Sequence, residues 1–136
     1  MKRYLTLAVI CLAVFALCWP CSSSGEQQQK KGSSLIMKEK LKTSQKLLEG
    51  IALADYNKVI TSSEDLIQLT KTEEWMVYKT PKYELFSNEF RRAAENVISK
   101  AKLKNIDGVT LAYFELTVSC VRCHTYVREI RDARPE

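Results

Sequence analysis

The chain has 136 residues, and its 21 lysines and arginines against 16 aspartates and glutamates give a formal charge of +5. That length suits one small domain. No basic cluster alternates with aromatic residues, which argues against nucleic-acid binding. The single histidine and the absence of an evident carboxylate pair leave little for acid–base catalysis, so the composition does not point to an enzyme.

In chain order, Lys2 and Arg3 make a short basic region, Leu5 through Leu17 an apolar run, and Ser22 through Glu26 a polar stretch with small residues. This is the layout of an export signal peptide over residues 1–25, with an apolar run too short for a membrane span. Membrane attachment would then come only through an uncleaved leader. Cys11, Cys18 and Cys21 fall within it, and Leu17 and Pro20 are poor residues to precede a lipidated cysteine. Removing Lys2 and Arg3 leaves 19 basic residues against 16 acidic, a formal charge of +3.

Residues 26–32 are polar and low in complexity and read as a flexible lead-in to a domain over 33–136. The domain reads as all-α: helix-period spacing dominates, and glycine and proline are scarce. A first helix is expected from Ser33 or Ser34 to about Leu53. Its inner stripe is Met37, Leu41, Leu48 and Ala52, with Ser44 in the middle and Leu47 and Ile51 widening it. Lys38, Lys40, Lys42 and Lys46 are placed on its exposed side. A second helix is expected from an Asp55 cap to about Thr70, burying Val59, Leu66 and Leu69. After a loop carrying Trp75, Tyr78 and Pro81, a third runs from about Lys82 to Leu103. Phe86, Phe90, Ala93, Val97 and Ala101 stack along it. Asn105 closes that helix and Asp107 caps a fourth, which runs through Tyr113, Leu116, Thr117, Cys120 and His124 to about Asp132. Arg128, Arg131 and Arg134 at its end complement the helix dipole. Short connections between the first and second and between the third and fourth helices imply an antiparallel four-helix bundle.

The chemistry lies near the end of the fourth helix, where Cys120, Val121, Arg122, Cys123 and His124 spell C-x-x-C-H, the pattern of covalent c-type haem attachment. Thiols three residues apart on a helix point the same way, so both can reach the vinyl groups of one porphyrin. His124, one step on, can offer a nitrogen to the iron. A redox or zinc reading needs partners that the chain lacks, since His124 is the sole histidine and no second cysteine pair follows the leader.

A C-x-x-C-H motif on the last of four helices resembles the cytochromes c prime, the class II c-type cytochromes. The resemblance spans residues 33–132 and includes Cys120, Cys123, His124, Arg128 one turn later, Phe86 and Phe90 on the third helix, and Trp75. One departure is local: the family commonly places an aromatic just before the arginine, whereas Val127 stands there and the aromatic is Tyr126. The resemblance implies one haem c, joined through Cys120 and Cys123 and ligated by His124, with Arg128 along its proximal face. It also implies that an inner residue of the first helix faces the iron. Met37 is the candidate thioether ligand, and Leu35 or Leu41 the alternative occupant that leaves the iron five-coordinate. Trp75, Tyr78, Phe90 and Tyr113 are candidates for the haem wall, and the family often pairs two copies through the first two helices.

The expected function is therefore an exported electron carrier, in a periplasm or an equivalent compartment, serving redox partner proteins. The alternative is a five-coordinate cytochrome that binds NO or CO. A basic patch on the first helix would steer an acidic partner.

Overall fold

A computed structural model describes residues 24–72 and 75–133, with side chains from residue 34 onward. The expected leader up to Ser23, with its three cysteines, and Arg134 lie outside the described residues. Four helices follow one another: α1 (Ser24–Ala52), α2 (Tyr56–Leu69), α3 (Pro81–Lys102) and α4 (Ile106–Asp132). They form a four-helix bundle, with no strand among the described residues.

The helix ends follow from local chemistry. Asp55 caps α2, its side chain accepting from the Lys58 amide at 3.0 Å. Thr80 caps α3, and Pro81 occupies the first helical position, where its missing N–H costs nothing. Asn105 caps α4, its side chain accepting from the Gly108 amide. Asp107, expected as that cap, instead lies in the first turn, because the preceding chain reverses on Lys104 and brings Asn105 into position.

Both short connections are built alike. Ala54 and Lys104 each take a left-handed conformation with φ of 52°. The amide of Ala54 donates to the Ile51 carbonyl and that of Asp55 to the Gly50 carbonyl; Lys104 and Asn105 repeat the pattern on Ala101 and Lys100. These paired bonds satisfy the last carbonyls of α1 and α3 and turn the chain at once into the next cap. The Tyr56 hydroxyl donates to the Lys104 carbonyl at 3.0 Å, tying the two connections together.

The start of α1 differs from expectation. Its helical backbone begins at Ser24 and runs through residues 26–32, since glutamine and lysine are good helix formers and only Gly32 opposes them. Its buried seam also differs. Lys40, Thr43, Leu47 and Gly50 face the core, at spacings of three, four and three residues. Leu41 and Leu48, expected on the inner stripe, are 62% and 50% exposed, and Ala52 is exposed. Lys40, expected on the outer face with Lys38, Lys42 and Lys46, is 7% exposed, while those three are exposed.

The core joins Leu47 of α1, Val59 and Leu66 of α2, Trp75 of the long loop, Tyr83, Phe90, Ala94, Val97 and Ala101 of α3, and Val109, Ala112 and Leu116 of α4. Gly50 lets α1 and α2 approach closely: a Cβ there would lie 3.1 Å from both the Val59 side chain and its backbone nitrogen. Each helix packs firmly on the next in sequence, whereas α1 and α4 touch at few points. The ring of four is open along that one seam.

Candidate functional site

The open seam is where the sequence motif falls. A cleft of about 270 Å³ is lined by Met37, Lys40, Leu41 and Ser44 of α1 and by Cys120 and His124 of α4. One wall thus carries the helical stripe on which Met37, Leu41 and Ser44 were expected together, and the other carries half of C-x-x-C-H. Leu48, seven residues beyond Leu41, is half exposed and lies outside the lining. Three residues of the stripe assigned to the core therefore line the cleft instead. The Tyr113 hydroxyl donates to the Ser44 carbonyl at 3.5 Å, a weak bridge across this seam.

Cys120 and Cys123 are free, partly buried thiols packed against the core edge. Burial pushes the Cys123 thiol above its ordinary value; the Lys40 charge opposes this and Cys120 adds to it. His124 is exposed along part of its ring, and its pKa is lowered, first by partial burial and then by the charges of Lys40 and Arg128. A shift in that direction favours the neutral ring, whose lone pair a metal needs. Arg128 is exposed on the last turns of α4, where its guanidinium donates to the Thr125 hydroxyl at 3.0 Å.

The aromatic residues pack in and beside the core rather than lining the cleft. Trp75 and Phe90 are buried with ring centroids 5.4 Å apart. The Trp75 indole N–H donates to the Ser87 hydroxyl at 2.9 Å, and the Tyr83 hydroxyl donates to the Trp75 carbonyl. These bonds hold the long loop down onto α3 and fix both rings. Phe86 stacks on Tyr126, whose hydroxyl shares a 2.9 Å hydrogen bond with that of Thr80. Of the expected wall residues, Trp75 and Phe90 are core, Tyr113 bridges the seam, and Tyr78 packs edge-on against Tyr83.

Lys40 is the residue that sequence reasoning missed. Its Nζ lies 4.6 Å from the Trp75 ring centroid and 4.1 Å from that of Phe90. Contact with two ring faces offsets part of the cost of burying an ammonium. Burial still lowers its pKa, against the raising influence of Cys120 and Cys123. The signal in the sequence was the position of Lys40 seven residues before Leu47 and three before Thr43, in one heptad seam.

The arrangement provides a thiol, an imidazole, an amine and a thioether around one partly apolar cleft, with the Cys123 thiol three residues beyond Cys120 on the same helix. No group of three or more histidine, cysteine, aspartate and glutamate side chains is placed to hold a metal ion among the described residues. No helix of those residues is long and apolar enough to cross a membrane. No protein-family model, curated protein or solved structure matches the chain.

Proposed function

We propose that the protein is an exported, monohaem c-type cytochrome of the c prime kind that carries electrons. The observation that supports this most is the meeting of Cys120 and His124 with Met37 and Leu41 across the one open seam of the bundle. The donor set suits the group: Cys120 and Cys123 would hold it by thioether bonds, and His124 would ligate its iron. Bound there, haem supplies a one-electron couple that the side chains lack.

The protein's own residues would set the conditions for that couple. Met37 and Leu41 give the cleft its apolar lining, and Trp75 and Phe90 hold the end of Lys40 behind it. His124 at the cleft is exposed, so a group held there would stay within reach of a partner. Across from His124, α1 offers two strong donors, the Met37 thioether and the Lys40 amine. Either would keep the iron six-coordinate in both oxidation states, so little would rearrange on electron transfer. The exposed Lys38, Lys42 and Lys46 would attract an acidic redox partner, with a salt-sensitive association rate.

A second reading rests on the exposure of Leu41 beside the cleft. If Leu41 covers the iron instead of a donor, the site is five-coordinate and takes up NO or CO. The absorption spectrum of the purified protein, oxidised and reduced, separates the two. A carrier shows a low-spin spectrum that carbon monoxide does not move. A gas-binding protein shows a high-spin spectrum that shifts on adding the gas, and that result would overturn the carrier.

A further inference from the structure

Lys40 has no evident structural purpose. Its stem packs in the core seam of α1, a position that leucine or methionine would fill without desolvating a charge. The residue is 7% exposed, no ion pair or hydrogen bond engages its amine among the described residues, and the amine keeps a contact with solvent at the cleft. Two ring faces lie against it. A lysine held this way loses hydration that the rings offset only in part.

The location of the amine indicates the use. Lys40 lines the same cleft as Cys120 and His124. Its charge is felt at Cys120, Cys123 and His124 alike, so it stands near the whole attachment motif. It is also braced. Trp75 and Phe90 flank its end, and the bond from Trp75 to Ser87 fixes one of those rings. Met37, one turn earlier on α1, is half-buried against the edge of the core, with no ring on its end. A preorganised donor loses less entropy on binding than a mobile one.

We infer that Lys40, rather than Met37, supplies the distal ligand to the haem iron, through its ε-amine opposite His124. This rests on the haem reading of the cleft and assigns the donor that the sequence assigned to Met37. The ammonium releases its proton to solvent as the nitrogen takes up its place on the iron, and no electron is transferred in that step. The Trp75 and Phe90 rings then act as the walls that hold the lysine stem in line.

The test is spectroscopic and uses the exported holoprotein. Near-infrared magnetic circular dichroism and electron paramagnetic resonance of the oxidised wild type distinguish nitrogen–nitrogen from nitrogen–sulfur axial pairs without any substitution. The expected result is a nitrogen–nitrogen pair. Met37→Leu should leave that signature intact. Lys40→Leu, and Lys40→Arg as a variant that keeps charge and length, should lose the low-spin signal and gain carbon monoxide binding. A nitrogen–sulfur signature in the wild type, or an unchanged spectrum in Lys40→Leu, overturns the assignment while leaving the haem reading standing. Export without any covalent haem, read from a haem-stained denaturing gel, overturns the reading of the cleft and the assignment with it. The wild-type spectra decide the matter even if the Lys40 variants fail to fold.

Discussion

Helix α4 has two neighbours in the bundle. Beside α3 it places Val109, Ala112 and Leu116 in the common core with Phe90, Ala94 and Val97, and the Asn96 amide reaches the Glu115 carboxylate outside. Beside α1 it makes few contacts, and Cys120 and His124 line a cleft instead. The first seam holds the fold together. The second leaves apolar side chains half in water and brings Cys120 and His124 opposite Met37 and Lys40. The packed core and the cleft thus occupy different faces of one helix, and substitutions on the two faces should differ sharply.

The largest contrast in folding is at Phe90, which stacks on Trp75 at the centre of the closed part. Phe90→Ala should cost about 3–5 kcal/mol in urea unfolding; a loss under about 1 kcal/mol would mean that the closed part is not well packed. Neighbouring leucines of α1 sharpen the comparison. Leu47 is 0% exposed and Leu48 50%. Leu47→Ala should lose about 2–5 kcal/mol, while Leu48→Ala should stay within about 0.5 kcal/mol. Equal losses would show that the two stripes of α1 have been assigned to the wrong faces.

Smaller effects follow at the two connections. Ala54 and Lys104 hold a left-handed conformation that glycine adopts without strain. Ala54→Gly and Lys104→Gly should each raise stability by about 1 kcal/mol, measured by thermal or denaturant midpoints; destabilisation at both would contradict the turn geometry. The last effect is alkaline. Burial, then the nearby Cys123, raises the Tyr83 phenol from its ordinary 10.0 to about 12, against the lowering effect of a backbone hydrogen bond. In the unfolded chain the phenol ionises first, so the stability that it contributes below about pH 10 is lost as the pH rises towards 12. Tyr83→Phe should flatten the fall in unfolding free energy over that interval, and an unchanged slope would assign the alkaline loss to other groups.

Much of the architecture could be read in the residues. Asp55 as a cap, Val59 and Leu66 as core, and the ends of α2 and α3 follow from local chemistry, which acts over one or two turns, whereas the cap of α4 falls on Asn105 and not on Asp107. The rotation of α1 did not, because it carries two adjacent stripes of helical period. Met37, Leu41, Ser44 and Leu48 look more apolar than Lys40, Thr43, Leu47 and Gly50, yet the second set faces the core. A lysine at a core position inverts the usual rule, and what permits it is the pair of rings from Trp75 and Phe90, distant in sequence. The cleft was half legible: C-x-x-C-H announces one wall and Met37 the other, whereas Lys40 between them depends on tertiary packing.

The central claim is covalent haem attachment at the open seam, and the most direct measurement is the intact mass of the exported, denatured chain. The account predicts a chain heavier by one haem, with the haem retained on a denaturing gel and covalent attachment weakened in Cys123→Ser. An exported chain at its unmodified mass, with both Cys120 and Cys123 free to react with a thiol reagent, would contradict it.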